Sequence, residues 1–481
     1  MSVVSRKSQM DATLGRRQPH PYWVWENLLD AAEQEANLHE LNKGRDSSRG
    51  ANVQVTYYFE VENQGRPTEG IKNAAKMLLE HGTVKPWAEE GRAGYPKPAG
   101  YDENMSWATD FQLLGLNESS HVEAGLVRVA YPAAFFDKRA DGKFALAQFL
   151  TGVAGEPFSA FSFYLGAKVV DVRFCESLEG RFPGPVWSNE RVRRYLDLGE
   201  SEPLIGTIVK PKTGLTSELF AASVVEAAEA GARFTKADEN MHLSLKELPR
   251  YVARVVKELE KAGFDLSRAP GAGRKRFLFA PHVTTDCDQI RTAAKAAIEA
   301  GANALMFSPY YSGGFLQLAE IVEEFDVPVY AHTAGMNVLT GADCWGFSPH
   351  VMYYLAASFG AAFMQITTMN GYLRPDDLEK SKILESLTRR GLHGPRGMTL
   401  AVAGGLGPLN VGINMKALGE TAKMFLAGSS VYSHPQGPAA GVEALLIAYR
   451  AYKDRRIVDP QALRDHALEL GAGGRALLAL F

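Results

Sequence analysis

From residue 204 onward, short apolar runs alternate with longer segments whose apolar positions recur every three or four residues, and the alternation repeats eight times. The short runs are LIGTIVK (204–210), FTKADE (234–239), RFLFAPHV (276–283), ALMFSPY (304–310), VPVYAHT (327–333), FMQITT (363–368), TLAVAGG (399–405) and KMFLAG (423–428). Each reads as a buried strand. Between them, stretches such as SELFAASVVEAAEAG (217–231) and DQIRTAAKAAIEAG (288–301) read as helices closed by glycine. Eight strand–helix units in about 250 residues predict an α/β chain folded as a (β/α)8 TIM barrel. An open doubly wound sheet would show fewer units and a glycine fingerprint after its first strand.

The texture upstream differs. Strand-like runs at 53–61 (VQVTYYFEV), 124–130 (AGLVRVA) and 168–174 (KVVDVRF) are interleaved with helical patterns at 71–81 and 144–150, which predicts a smaller α+β domain. The expected layout is a polar N-terminal arm over 1–48, the α+β domain over 49–190, the barrel over 191–452 and a helical tail over 453–481. Within the arm, 23–41 (WVWENLLDAAEQEANLHEL) has the pattern of an amphipathic helix, followed by a flexible NKGRDSSRG stretch.

Composition narrows the function. The 481 residues carry a formal charge of -3, so no strong field favours nucleic acid or anionic lipid over small solutes. No apolar run reaches about 18 residues, and the first residues lack the apolar centre of a signal peptide. Cys175, Cys287 and Cys344 are odd in number and far apart, which suits reduced thiols. A cytoplasmic small-molecule enzyme is expected, with neither membrane nor nucleic acid as partner.

In a barrel the C-terminal ends of the strands converge on one mouth. The second strand ends Lys236-Ala237-Asp238-Glu239-Asn240, and its carboxylates are oxygen ligands of the kind Mg²⁺ prefers. A lysine is a poor neighbour for a cation unless burial lowers its pKa and the neutral amine adds CO₂, forming an anionic carbamate. Alone, the motif also suits an ordinary ion-paired strand end. The first strand ends Lys210-Pro211-Lys212, the fifth at His332, a candidate acid/base or substrate contact. A cation beside a lysine disfavours its ammonium form and suits it to removing a proton. The seventh and eighth strands run into Gly404-Gly405 and Gly428-Ser429, where backbone N–H groups can approach phosphate oxygens; simple turn punctuation is the alternative. His282 and Tyr310-Tyr311 follow the third and fourth strands at the same rim, while His434 suits a structural hydrogen bond.

The segments GTIVKPKTGL and GARFTKADEN resemble the two signature strands of the ribulose-bisphosphate carboxylase (rubisco) large-chain superfamily, usually GTI-KPK-GL and FTKDDEN. The resemblance runs from about residue 52 to about 450 and takes in VRVAYPAAFFD, FPGP and AGSSVYSHPQG. It implies a ferredoxin-like α+β domain before the barrel, Mg²⁺ as cofactor, and CO₂ held as a carbamate on Lys236. It implies that Asp238 and Glu239 complete the metal site, that Lys210 is the base with Lys212 supporting it, and that His332 is catalytic. Thr83 of HGTVKPW, with Gly404, Gly405, Gly428 and Ser429, matches a phosphate site. A homodimer that shares its active sites between subunits is implied as well.

Departures from the family pattern point to the rubisco-like (form IV) branch. Carboxylases carry a GTxxGKxEG loop after the sixth strand, whose lysine polarises CO₂; here the loop is TTMNGYLRPDD, with Tyr372 near that position. A neutral phenol cannot replace an ammonium facing a developing carboxylate. The second phosphate site is altered too: Thr333 stands for an arginine, Gln365 for a histidine and Ala403 for a serine. The GNVFG motif reads TGVAGEPF and lacks its asparagine. The resemblance therefore implies Mg²⁺-dependent enolisation of a monophosphorylated, sugar-derived ketone or oxo-acid, ending in tautomerisation, isomerisation or decarboxylation (a lyase or isomerase) without CO₂ fixation. A non-catalytic binding or assembly protein on the same fold is the alternative, and a true carboxylase a third.

Overall fold

The computed structural model describes residues 26–46, 50–62, 66–87, 96–117, 122–136, 139–155, 158, 164–267, 273–311, 314–373, 375–419 and 423–481. The start of the helical pattern at 23–41, residues 156–157 of TGVAGEPF and residue 374 of the sixth loop lie outside the described residues. The chain forms two compact units, one running to Phe182 and including Val338–Met352, the other made of Pro183–Asn337 and Tyr353–Phe481.

The first unit is a five-stranded sheet. Strands β1 (Asn52–Glu62), β2 (Trp107–Asn117), β3 (Val122–Pro132) and β4 (Tyr164–Arg173) pair antiparallel in the order β4-β1-β3-β2, and the short strand Trp345–Phe347 adds in parallel to β4. The apolar alternation of β1 buries Val53, Val55, Tyr57, Phe59 and Val61. The Tyr57 and Tyr131 hydroxyls meet at 2.7 Å, and Tyr57 also donates to the Val153 carbonyl, so neither buried phenol is left unpaired. Helix Glu69–His81 lies beside this sheet, its first turn donating the Ile71 N–H to the buried carboxylate of Glu123.

Strand β2 has no counterpart in the periodicity. Its sequence, WATDFQLLGLN, places Asp110 and Gln112 among apolar residues because β2 is an edge strand. The arm supplies the cover. Helix Ala31–Leu41, opened by a capping box of Asp30 and Glu33, puts Gln34 on Asp110 at 2.7 Å, and Asn42 bonds both backbone groups of Ala108.

The second unit contains all eight barrel strands: Leu204–Ile208, Phe234–Lys236, Leu278–Ala280, Leu305–Phe307, Val329–Ala331, Phe363–Thr367, Thr399–Ala403 and Lys423–Ala427. They pair in parallel around the ring, with the eighth beside the first. The third and fourth meet only through a bridge between His282 and Met306, which nearly closes the barrel. Phe234, Tyr330 and Phe363 stack in its interior, and burying each such ring contributes roughly 2–3 kcal/mol. Gly206 on the first strand is required by this packing, since a Cβ there would lie 2.8 Å from Leu426. Helix Asn189–Leu196 sends Val192 and Leu196 into the same core. No helix among the described residues is long and apolar enough to cross a membrane.

Candidate active site

Short strands set the site. The second strand stops at Lys236, and the chain turns at once through Asp238, Glu239 and Asn240, so three charged side chains leave one strand end. Lys236 is fully buried. Its Nζ lies 3.1 Å from the Ala237 carbonyl, 3.3 Å from Glu239 Oε2 and 5.7 Å from the centre of the Tyr330 ring. Burial pulls its ammonium below the ordinary lysine value against the attraction of Glu239 and Asp238, and the nearby Lys210 charge adds to the depression.

The first strand delivers Lys210, whose Nζ lies 2.5 Å from Asp238 Oδ2. Asn240 fixes the other oxygen of Asp238 through its backbone N–H at 3.0 Å and its side-chain amide at 3.3 Å. Burial raises the pKa of Asp238, but the Lys210 ammonium and the Asn240 N–H outweigh it and hold the carboxyl below its ordinary range.

The fifth strand brings in His332. Its Nδ1 accepts the Ala334 N–H at 3.1 Å, so in the neutral ring the proton sits on Nε2, which faces Glu239 Oε2 at 3.3 Å. Burial, reinforced by the Lys236 charge, pulls its pKa well below the ordinary histidine value and keeps the ring neutral.

Among the described residues no three His, Cys, Asp or Glu side chains gather as a metal site. Asp238 and Glu239 could offer two anionic oxygen ligands, and of the side chains around them Lys236 is the one that could be converted into a third. A carbamate on that buried amine would convert its charge from positive to negative, giving an all-oxygen set of the kind Mg²⁺ takes.

The eighth-strand loop approaches Lys210, and the seventh-strand loop is tied to it. A Cβ on Gly428 would lie 3.3 Å from Lys210 Cε, and Ser430 Oγ ties the two loops together by donating to the Leu406 carbonyl at 2.7 Å. Gly404 and Gly405 have φ of 75° and 86°, and a Cβ on Gly404 would run into Leu373 at 2.6 Å. Ser429 follows Gly428 and opens the short helix Ser429–Tyr432.

Other expected residues make no hydrogen bond or ion pair with these carboxylates among the described residues. Lys212 is exposed and makes no ion pair among the described residues. Thr83, in the first unit, donates to the Leu79 carbonyl at 2.8 Å and shares a 2.8 Å hydrogen bond with Ser106. Tyr372 is 81% exposed, and Gln365 accepts from the Tyr330 hydroxyl at 3.3 Å. His282 is held by the Met241 carbonyl, and burial lowers its pKa to about 4. Tyr310 is half-buried and Tyr311 exposed; His434 bonds the Ala476 carbonyl at 2.8 Å. Two contributors went unnoticed in the sequence. Asn240 was visible as the last residue of KADEN, and Tyr330 lies two positions before His332, the spacing that puts both on one face of a strand.

The structure thus joins a parallel eight-stranded barrel with two lysines, two carboxylates and a neutral histidine at its mouth. The description "Ribulose bisphosphate carboxylase large chain, catalytic domain" matches residues 190–472. The chain is 26% identical over 380 residues to a ribulose bisphosphate carboxylase of Methanocaldococcus jannaschii, covering 76% of this chain and 85% of that protein. It is also 26% identical over 333 residues to a 2,3-diketo-5-methylthiopentyl-1-phosphate enolase of Bacillus cytotoxicus, covering 69% and 76%. A rubisco-like protein from Burkholderia fungorum shares the fold with a TM-score of 0.71 at 22% identity, covering 90% of this chain and all of that one. The chain belongs to the ribulose bisphosphate carboxylase large-chain family.

Proposed function

We propose that this protein is a Mg²⁺-dependent enzyme that removes a proton from the carbon beside a carbonyl in a monophosphorylated, sugar-derived ketone or oxo-acid, without fixing CO₂. The observation that carries the reading is the burial of Lys236 against Glu239, with Asp238, Lys210 and His332 around the same point. Lys236 as its carbamate, Asp238 and Glu239 would hold the cation. When bound there, it would supply Lewis-acid stabilisation to the oxygen on which negative charge develops.

This chain's own residues do the rest. Lys210, once its ammonium has given a proton to solvent and left Asp238, would take the α-proton on its neutral Nζ. The C–H electron pair becomes the C=C bond of an enolate, and the carbonyl pair moves to oxygen. His332 donates from Nε2 and fixes Glu239. Reprotonation of the enolate at another position completes the reaction; in an oxo-acid, departure of the carboxylate as CO₂ would leave its C–C electron pair as the enolate in place of proton abstraction, and reprotonation again follows. Backbone N–H groups of Gly404, Gly405, Gly428 and Ser429 bind the phosphate, with Thr83 contributed by a second subunit of a cytoplasmic homodimer and Lys212 closing on the bound substrate. Tyr372, Thr333, Gln365 and Ala403 provide no cation for CO₂ or for a second phosphate, which supports a branch of the family that does not carboxylate.

Proton exchange tests the reading without knowledge of the final product. Candidate phosphorylated ketones and oxo-acids incubated with Mg²⁺ and bicarbonate in D₂O should lose the α-proton signal with wild-type protein. Lys210→Met should slow exchange by several powers of ten while still binding the compound. Equal exchange in both proteins removes Lys210 as the base.

A further inference from the structure

At the opposite end of the barrel from the lysine pair, the strands begin rather than end, and a cavity of about 840 Å³ opens there. It lies beside Arg233, just before the second strand, Arg276 before the third, Asn303 before the fourth and Val327 before the fifth. Barrel chemistry does not ordinarily use this face, which serves stability. Its charge is unusual for a chain whose formal balance is -3: six arginine and lysine side chains line the cavity against three acids.

Most of the acids are already committed. Asp326 pairs with Arg191 at 2.8 Å and accepts the Trp187 indole N–H at 3.2 Å, and Glu202 accepts the Gly199 N–H at 2.6 Å. Arg276 is satisfied by Asp265 at 3.1 Å and the Ser267 carbonyl at 2.8 Å. Arg194, Arg233, Arg274 and Lys275 have no ion pair among the described residues. Arg233 is the telling member. Half-buried at the strand entry, it reaches, among the described residues, only the carbonyl of its neighbour Ala232, at 3.3 Å. Burial lowers its pKa, with Glu202 opposing the shift only in part. Leaving a guanidinium partly desolvated without a counter-charge costs stability, and a bound anion offsets that cost.

Neighbouring side chains hold the cavity in shape. Arg191 stacks on Trp187 at 4.1 Å and Arg276 on Tyr195 at 5.2 Å, while Asn303 donates to the Tyr195 hydroxyl at 2.8 Å. Arg194 and Arg191 are three residues apart on helix Asn189–Leu196, so both can turn to this side. The fixed wall, the volume and several uncommitted donors together make a concave, cationic receptor of the size small ligands occupy.

We infer that the strand-entry face of the barrel binds a small anion bearing two or more phosphate groups, at a site separate from the lysine–carboxylate mouth and independent of the reaction proposed there. Arg233 contacts the anion at the bottom of the cavity, and Arg194, Arg274 and Lys275 close round it at the rim.

Inorganic tripolyphosphate is the probe, titrated calorimetrically into the full-length protein in metal-free buffer, with sulfate and citrate as comparison arms at matched ionic strength. The expected result is a saturable site that persists when the mouth is blocked by Gly428→Trp, at least tenfold tighter for tripolyphosphate than for sulfate or citrate. Arg233→Gln, and separately the exposed pair Arg194→Gln with Arg274→Gln, should each weaken it tenfold or more. Gly428→Trp, which blocks the glycine loops at the other end, should leave it unchanged. Equal affinity in wild type and the rim double variant overturns the inference, as does loss of binding in Gly428→Trp. Citrate binding as tightly as tripolyphosphate overturns the phosphate assignment. Should Arg233→Gln fail to fold, the rim pair still decides the matter, because Arg194 and Arg274 are exposed.

Discussion

Lys210 Nζ lies 2.5 Å from Asp238 Oδ2, so an ion pair joins the ends of the first two barrel strands at the centre of the site. Any cation that uses Asp238 must displace this ammonium. Lys210→Met should therefore bind Mg²⁺ more tightly than wild type, by a few-fold to tenfold, even though it loses proton exchange. Magnesium titration followed by thermal denaturation checks this, and weaker binding in the mutant would mean that the ammonium does not compete for Asp238.

Gly428 sits where a side chain would meet Lys210. With a Cβ 3.3 Å from Lys210 Cε and 3.5 Å from the Ile208 carbonyl, alanine is tight and a large residue cannot enter without displacing the lysine. Gly428→Trp should weaken binding of a phosphorylated substrate or inorganic phosphate at the mouth at least tenfold, with the fold retained by circular dichroism. Unchanged affinity would move the phosphate elsewhere.

The sixth loop predicts the absence of carboxylation. Tyr372 is 81% exposed, and the loop is pinned by Asn370, whose N–H donates to Asp377 at 2.9 Å, and by the buried Lys380, which bonds the Thr368 carbonyl at 2.6 Å. Ribulose bisphosphate with labelled bicarbonate should give no acid-stable label, and Tyr372→Lys alone should not create it. Label incorporated by wild-type protein would place the chain among the carboxylases.

The barrel was legible because eight buried strands and their helices leave two distinct periods in the sequence, and the site because its residues cluster in two short motifs at strand ends. Less was legible in the first unit. Strand β2 hides its period by carrying Asp110 and Gln112 toward the arm helix, and Trp345–Phe347 is too short, at three residues, to show any alternation. Nothing in the local sequence says that 338–352 leaves the barrel unit for the other sheet, since that pairing with β4 spans nearly 180 residues of chain. The contacts of Asn240 and Tyr330 were equally invisible, because they depend on side-chain direction rather than residue type.

Glu123 makes a prediction on stability. Its side chain is buried under the first turn of helix Glu69–His81, with Oε2 on the Ile71 N–H at 3.1 Å and Oε1 without a partner among the described residues. Burial raises its pKa, with the N–H groups of Ile71, Thr68 and Gly70 opposing. The native state therefore holds this proton more tightly than the unfolded state does. The associated stability is full below the ordinary glutamate value and is lost as pH rises through the raised native value. Glu123→Gln should flatten that part of the profile, read as a smaller change in Tm across the mildly acidic range. An identical pH profile in mutant and wild type would show that Glu123 does not titrate differently on folding.

The central claim is that Lys236 becomes an anionic ligand. Carbon-13 NMR of the protein equilibrated with ¹³C-labelled CO₂ and Mg²⁺ tests it most directly, because the carbamate carbon is a new covalent centre that neither free bicarbonate nor a simple ion pair can supply. The account predicts one protein-bound carbamate resonance per chain, strengthened by Mg²⁺ and missing in Lys236→Ala, which should also lose Mg²⁺-dependent thermal stabilisation. No such resonance in wild-type protein at saturating Mg²⁺, or an undiminished one in Lys236→Ala, would contradict it.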